Sequence, residues 1–173
     1  MKRPVTPLGY ATMRQDLQKF RAMRPEIAMA IEIARGHGDL SENGDYDAAK
    51  EKSGMVEAKI RDLEARLAHA EIVDPSRYGE LTRVVFGCTV TIEDVENGEK
   101  RTLSLVGPDE GDIDRGWISV ESPMGRALIG RESGDVTRVA LPGGAREFEV
   151  QEITIDAAQF AAPNVLEVPA GEE

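Results

Sequence analysis

The segment from residue 38 to residue 47 carries the side chains whose types and spacing point most directly to chemistry. It holds four carboxylates and no lysine or arginine: Asp39, Glu42, Asp45 and Asp47. Two carboxylates three residues apart on a tight turn, such as Asp39 and Glu42, can converge on one hard cation. Mg²⁺ keeps several waters and is commonly held by one or two carboxylates of any one protein. One interpretation is therefore half of a shared magnesium site, which a partner completes.

A plainer interpretation of the same acids also stays open. They would solvate a turn between two helices and place negative charge at the positive N-terminus of the second helix, an interaction of about 0.3–1 kcal/mol. Ser41 or Asn43 would then serve as the N-cap of that helix.

The third interpretation is a calcium loop. Five residues fall at positions 1, 3, 5, 6 and 9 of an EF-hand pattern: Asp39, Ser41, Asn43, Gly44 and Asp47. Position 12 should be a bidentate glutamate. Here it is Lys50, and Tyr46 stands at position 8, which is normally aliphatic. No tight calcium site is expected.

Two long amphipathic patterns flank the acidic segment. Before it, apolar residues alternate in spacings of four and three, with Arg24 at the one polar position of this seam: Met13, Leu17, Phe20, Ile27, Ile31 and Ala34. After it, the same spacing continues to about Val73: Ala49, Ser53, Val56, Ile60, Leu63, Leu67 and Ala70. Such stripes pair antiparallel and bury each other's seams. The pattern predicts a coiled-coil finger over residues 1–75 with its acidic tip at residues 39–47.

Local signals refine the helix bounds. Thr6 and Pro7 offer an N-cap followed by a proline at the first helical position. Pro25 predicts a kink or a brief interruption of the first helix. Asp74 and Pro75 end the second helix, which would be roughly 25 residues long, and residues 76–82 are predicted to form a linker.

The second half predicts a small, mostly antiparallel β domain over residues 83–156. The apolar runs shorten to strand length, at residues 84–92, 103–106, 117–120, 136–141 and 148–155. Asn97-Gly98 and Pro142-Gly143-Gly144 are typical of hairpin turns. Residues 122–130 indicate one short capped helix, and residues 157–173 a mobile tail. The fold class is α+β, and Trp117 is expected in the core.

Composition excludes several classes of protein. The net charge is −11, which argues against a general nucleic-acid-coating protein. Residues 1–77 hold 13 basic and 13 acidic side chains, whereas residues 78–173 hold 8 and 19, so the acidic excess lies in the second half. A single cysteine, Cys88, and the lack of a signal-peptide or membrane-spanning pattern predict a cytoplasmic protein with no membrane association.

The chain resembles the Gre family of bacterial transcript-cleavage factors in several segments. The run that resembles the tip of the family's coiled coil is Ile31-Glu32-Ile33-Ala34-Arg35-Gly36-His37-Gly38-Asp39-Leu40-Ser41-Glu42-Asn43, followed by Tyr46, Ala48, Ala49 and Lys50. Three later segments are similar to its C-terminal domain: residues 85–90, residues 118–130, and residues 142–144 with 148–150. The resemblance covers roughly residues 5–156 in one continuous order.

The resemblance implies a fold and a function. It implies an N-terminal antiparallel coiled-coil hairpin, a C-terminal FKBP-like antiparallel β domain with one short helix, and an accessory factor without a catalytic site of its own. In this family the finger enters the secondary channel of bacterial RNA polymerase and stimulates Mg-dependent cleavage of the 3′ end of backtracked RNA. An alternative is a Gre-like regulator that occupies the channel without stimulating cleavage.

The same resemblance assigns roles to five residues. Asp39 and Glu42 match the acids that help hold the second Mg²⁺ of the polymerase, and the chain needs no cofactor of its own. Arg35 and Lys50 match the basic patch that meets RNA phosphates near the nascent 3′ end. Tyr46 matches an aromatic that stacks near the RNA or packs the tip. The tip departs from the commonest family pattern at Gly44-Asp45, where Ala-Glu is usual, and at the added Asp47.

Overall fold

The computed structural model describes residues 2–38 and 43–163. The described chain forms two compact units, one of residues 12–69 and one that combines the first eleven residues with those from Ala70 onward. Among the described residues, no helix is long and apolar enough to cross a bilayer. The α+β class is confirmed.

The first unit consists of two long helices, α1, Pro7–Arg35, and α2, Gly44–His69, except that the first residues of α1 belong to the second unit. Their buried side chains are those of the predicted seams, with Leu17, Ile27, Val56 and Ile60 at the centre of one apolar cluster. Arg21 contacts Glu64 and Arg24 contacts Glu57, so the numbers of paired residues run in opposite directions and the helices are antiparallel. The predicted hairpin is confirmed, and α1 continues through Pro25 without a break.

The N-terminus belongs to the second unit and not to the hairpin, unlike the predicted finger of residues 1–75. Strand β1, Arg3–Val5, pairs in parallel with β2, Ala70–Ile72. The amide of Val73 continues the pairing by donating to the carbonyl of Val5 at 2.9 Å. Helix α2 therefore ends at His69 and not at Val73, because the backbone bonds of residues 70–73 go to β1.

The second unit also contains a five-stranded sheet in the order β5-β4-β3-β7-β6. Its strands are β3 Thr89–Asp94, β4 Lys100–Val106, β5 Trp117–Ser119, β6 Val136–Leu141 and β7 Gly144–Thr154. All pairs are antiparallel except β4 with β5. Both predicted hairpin turns are present, with Gly98 and Gly144 at positive φ of 73° and 118°.

The predicted short helix is present as α3, Pro123–Leu128, and it packs beside the sheet. Ser122 caps it by accepting a hydrogen bond from the amide of Gly125 at 3.0 Å. A side chain at Gly125 would meet the carbonyl oxygen of Ser119 at 2.1 Å, so this close approach requires glycine. The core between α3 and the sheet contains residues of all the long strands, including Val90, Leu105, Val139 and Phe148.

Three stretches differ from the predicted pattern. The run of residues 84–92 becomes a strand only at Thr89, because Gly87 is left-handed at φ 84° and Val84 bonds to the backbone of residues 130 and 131. The predicted linker contains a 3-10 turn, Pro75–Arg77.

The third difference concerns the predicted mobile tail of residues 157–173, of which the part after residue 163 lies outside the described residues. Residues Ala157–Phe160 form a 3-10 helix, and the side chain of Phe160 is fully buried. Its ring lies 5.1 Å from that of Trp117, which is itself only 9% exposed and is confirmed as a core residue. The segment is ordered because an apolar ring and a hydrogen-bonding glutamine, Gln159, both find partners on the sheet.

Candidate functional site

The functional candidates lie where α1 ends and α2 begins. At the end of α1, the amide of Gly36 donates to the carbonyls of Glu32 and Ile33, and that of His37 donates to Ala34. Gly38 has φ 104°, a conformation that favours glycine and turns the chain out of the helix. These bonds satisfy carbonyl groups that a helix end otherwise leaves unpaired.

Asn43 joins the two helices. Its side-chain nitrogen donates to the carbonyl of Ala34, at the end of α1, over 2.5 Å. Its side-chain oxygen accepts from the amide of Tyr46, in the first turn of α2, at 3.1 Å. Of the two N-cap candidates, Asn43 is confirmed, whereas Ser41 lies outside the described residues. One amide therefore caps α2 and closes the hairpin.

The structure brings Arg35, Tyr46 and Lys50 together beside this closure. The guanidinium carbon of Arg35 lies 5.9 Å from the centre of the Tyr46 ring, and the ammonium of Lys50 lies 5.3 Å from it. Both cations are exposed, and Tyr46 is partly buried. A cation over an aromatic face is attracted by the ring quadrupole, so the ring holds two positive charges together in solvent.

Asp45 and Asp47 lie in the first turn of α2, where the helix dipole favours negative charge. A carboxylate oxygen of Asp45 lies 3.7 Å from Nδ1 of His37, and 79% of the Asp45 side chain is exposed. The contact between Asp45 and His37 was not predicted, since it depends on how the ends of the two helices face each other.

Asp39 and Glu42, the two residues predicted to bind metal, lie outside the described residues, as do Leu40 and Ser41. Their immediate neighbours in the chain, Gly38 and Asn43, are described, and Asn43 is the residue that closes the hairpin. Within residues 2–38 and 43–163, no three His, Cys, Asp or Glu side chains are grouped as a metal site.

The described part of the segment does not have the arrangement of an EF-hand loop. Helix α2 begins at Gly44, position 6 of that pattern, so Asp47 at position 9 is already helical. The side-chain oxygen of Asn43, at position 5, caps the helix. These two candidate ligands therefore have other roles in the fold.

Ion pairs run along the outside of the hairpin. Arg24, at the polar seam position, makes two bonds to the Glu57 carboxylate, at 2.8 and 2.9 Å. These hydrogen bonds from Arg24 lower the pKa of Glu57. Both side chains remain substantially exposed, so the pair contributes little to stability. The pair is consistent with the antiparallel register, which the buried seam residues set by packing.

The second unit, the β unit, contains a side-chain anchor that the sequence did not predict. The Glu110 carboxylate accepts hydrogen bonds from the backbone amide of Thr6, at 3.1 Å, from its hydroxyl, and from the amide of Gly107, at 2.8 Å. Thr6 is itself buried, and its hydroxyl accepts from the amide of Gly9 in the first turn of α1. The predicted N-cap at Thr6 is confirmed; the acid 104 residues away left no local signal.

The same unit has an open, mainly apolar recess of about 570 Å³. Phe86 is its one aromatic lining residue, while Trp117 and Phe148 are buried in the core. The rest of the lining is mainly aliphatic, with residues such as Val84 and Ile129, and includes Arg83 and Arg126.

The fold and the tip define a two-part factor, which consists of a helical hairpin with charged groups at its end and a separate β unit. The family model "Transcription elongation factor, N-terminal" matches residues 3–72, and "Transcription elongation factor, GreA/GreB, C-term" matches residues 80–155. The chain belongs to the GreA/GreB family of transcription elongation factors.

Curated relatives agree with the family models. The chain is 46% identical over 151 residues to transcription elongation factor GreA of Ralstonia nicotianae, covering 87% of this chain and 96% of the relative. It is 47% identical over 153 residues to GreA of Neisseria meningitidis serogroup A, covering 88% and 97%. Among solved structures, Gfh1 of Thermus thermophilus is 32% identical with a TM-score of 0.41, covering 88% of this chain and 99% of Gfh1.

Proposed function

We propose that the hairpin enters the secondary channel of bacterial RNA polymerase and stimulates cleavage of the 3′ end of backtracked RNA by the polymerase. The observation that carries this proposal is the closed end of the hairpin. Asn43 ties the two helix ends together next to Asp39 and Glu42 in the chain, and two exposed cations lie beside the closure. Family membership supports the polymerase as the partner.

Asp39 and Glu42 would supply oxygen ligands to the second Mg²⁺ of the polymerase. When bound there, the ion would supply Lewis-acid chemistry by lowering the pKa of its coordinated water, and the two carboxylates would fix the position of the ion and that water. The two acids would hold and orient this ion, and they would complete the metal site only when the hairpin is inserted in the channel. The protein is thus proposed as an accessory factor with no standalone catalytic site and no resident cofactor, acting in the cytoplasm where the polymerase is.

Arg35 and Lys50 would meet the phosphates of the nascent RNA near its 3′ end. The Tyr46 ring supports this role because it keeps the two cations adjacent and exposed. An isolated surface lysine loses side-chain entropy when it binds a phosphate. Cations already held over a ring lose less of it.

An RNA cleavage assay on stalled, backtracked polymerase tests the proposal. The wild-type protein should shorten the RNA from its 3′ end, and the double variant Asp39→Asn/Glu42→Gln should abolish this stimulation while binding polymerase as before. The amides keep the size of the side chains but remove both charges. Normal cleavage with the double variant would refute the role given to these acids.

The second candidate is a regulator that occupies the channel without promoting cleavage. The exposed carboxylates of Asp45 and Asp47, in the first turn of α2, favour it, because a more acidic tip can hold the ion unproductively. Rates of nucleotide addition on unpaused templates separate the candidates. A regulator of this kind slows addition, and Asp45→Asn/Asp47→Asn relieves the inhibition; a cleavage factor at low concentration leaves the rate unchanged.

A further inference from the structure

Helix α1 carries a second apolar stripe on the side opposite its seam. Ala22, Pro25, Met29 and Ile33 follow one another at spacings of three, four and four residues, and all four are exposed. Met29 is 64% exposed and Ile33 is 58% exposed. At about 100° per residue these positions share one face, which points away from the seam that packs on α2.

A helix in a two-helix hairpin needs only one apolar stripe, and its other side is normally polar. Residues 28–34 of α1 nevertheless include a single charged residue, Glu32. Helix α2 covers Ile27, Ile31 and the other seam residues. Residues 28–34 are thus apolar on most sides, but within the hairpin only the seam side is covered.

The charges beside the stripe indicate what kind of surface covers it. Glu26 and Glu32 lie on its two flanks and are both exposed. Acidic flanks repel nucleic-acid phosphates. They complement an apolar protein surface that has basic side chains at its rim.

The stripe is too small to form a stable dimer interface with a second copy of this chain by itself. A stable interface of standard size buries roughly 800 Å² on each partner. Two large side chains with two small neighbours supply much less than this. The contact therefore belongs to a larger interface, and the stripe runs along the tip half of α1 towards Arg35 and the cluster on Tyr46.

We propose that this outer stripe of α1 docks on an apolar, basic-rimmed wall of RNA polymerase when the hairpin is inserted. The inference rests on the proposed function and assigns one face of the hairpin to the partner. Met29 and Ile33 provide affinity there, whereas the acids of the tip provide chemistry.

The test compares Met29→Gln/Ile33→Gln with the matched control Met55→Gln. Glutamine favours helix, and neither Met29 nor Ile33 lies in the seam, so the hairpin should keep its helicity and melting temperature. Met55 is also 64% exposed, but it lies on α2 with Glu51 and Lys59 one turn to either side, so it is isolated. Binding of the labelled full chain to backtracked polymerase is measured by fluorescence anisotropy.

The double variant should raise the Kd for polymerase about tenfold or more, since two largely exposed side chains lose their burial. Met55→Gln should stay within about twofold of wild type. Met29→Leu/Ile33→Leu keeps the stripe apolar and should bind polymerase as wild type does. This variant shows whether the loss of apolar character, and not substitution at these positions as such, weakens binding.

Equal binding by the glutamine variant would overturn the inference while leaving wild-type cleavage, and hence the proposed function, intact. If the wild-type chain itself neither bound polymerase nor stimulated cleavage, the proposed function would fail first. Two further results would also overturn the inference: concentration-dependent sedimentation of wild type that the glutamine variant abolishes, which points to self-association, or weaker binding of the variant to RNA alone.

Discussion

Asn43 acts on two helices through one side chain, and its two bonds can be separated by substitution. Asn43→Ala loses both the cap on Tyr46 and the bond to Ala34, and it should lower the free energy of unfolding of the hairpin by about 1–2 kcal/mol. Asn43→Ser keeps an oxygen for the cap and should lose less. Thermal melts followed by circular dichroism at 222 nm measure the difference.

The order wild type, serine, alanine is the expected ranking of melting temperatures. Equal melts for all three proteins would mean that the hairpin end is held by other groups. Equal melts for serine and alanine would assign the whole effect to the bond with Ala34.

The buried thiol of Cys88 should make the free energy of unfolding fall at alkaline pH. Burial raises the pKa of its thiol from an ordinary 9.0 to about 11, because the interior disfavours the thiolate. The resulting stabilisation is complete below pH 9 and is lost as pH rises through 11. At about 1.4 kcal/mol per pKa unit, the free energy of unfolding should fall by roughly 3 kcal/mol over this range. Denaturant titrations at pH 8, 9, 10 and 11 should show this fall.

Cys88→Ala is the control, since it removes the thiol and should flatten the fall between pH 9 and 11. Some slope should remain, because burial also raises the pKa of Tyr78 above its ordinary value of 10.0. An identical slope in both proteins would show that the thiol has no part in it.

The sequence predicts single residues of the tip well where their roles are local. The cap at Asn43 follows from its place before an amphipathic run, and Arg35, Tyr46 and Lys50 were grouped by resemblance. The sequence does not predict three contacts: the bond of Asn43 to Ala34, the contact of His37 with Asp45, and the bonds of Glu110 to Thr6. Each joins residues whose closeness is fixed by packing elsewhere in the chain.

At the scale of elements, the segment Ala157–Phe160 stabilises one face of the sheet. Gln159 accepts from Nε1 of Trp117 at 3.1 Å and donates to the hydroxyls of Thr89 and Ser104. Phe160→Ala should lower the free energy of unfolding by about 3–5 kcal/mol, as for other fully buried phenylalanines. The emission of Trp117, the only tryptophan, should shift to the red because its ring gains contact with water.

Ala158→Ser is the matched control, since Ala158 is in the same turn but exposed. It should leave both the stability and the emission maximum unchanged. An unshifted spectrum for Phe160→Ala would mean that Trp117 is shielded by other residues.

Long elements with strong periodicity were the predictable ones. The seams of α1 and α2 and the two glycine turns of the sheet each repeat a pattern over many residues or use a turn residue of known type. Strands β1 and β2 contain three residues each, too few to show alternation. They form because they pair with each other, which no local window of sequence contains.

For the whole molecule, the chain order makes the hairpin an insertion in the β unit. The β unit contains residues on both sides of it, joined by the pairing of β1 with β2. Replacing residues 12–69 by eight Gly and Ser residues, which reach about 27 Å when extended, should therefore leave a folded β unit. Trp117 emission and a cooperative melt are the measurements.

A chain that lacks residues 2–11 as well as the hairpin is the comparison. It loses β1 and the bonds of Thr6 to Glu110, so its melting temperature should be lower than that of the chain with the linker. If both shortened chains melted alike, the N-terminal segment would contribute nothing to the β unit.

The parallel pairing of Arg3–Val5 with Ala70–Ile72 also sets an order of events during synthesis. Residues 3–5 leave the ribosome first, but they pair with residues that lie 67 positions later in the chain. Thr6 bonds to Glu110, which lies 104 positions later. The helices between them need no later residue to bury their seams. The hairpin can therefore fold while the β unit is still being synthesised. Residues 3–6, which are synthesised among the first, are among the last to reach their partners.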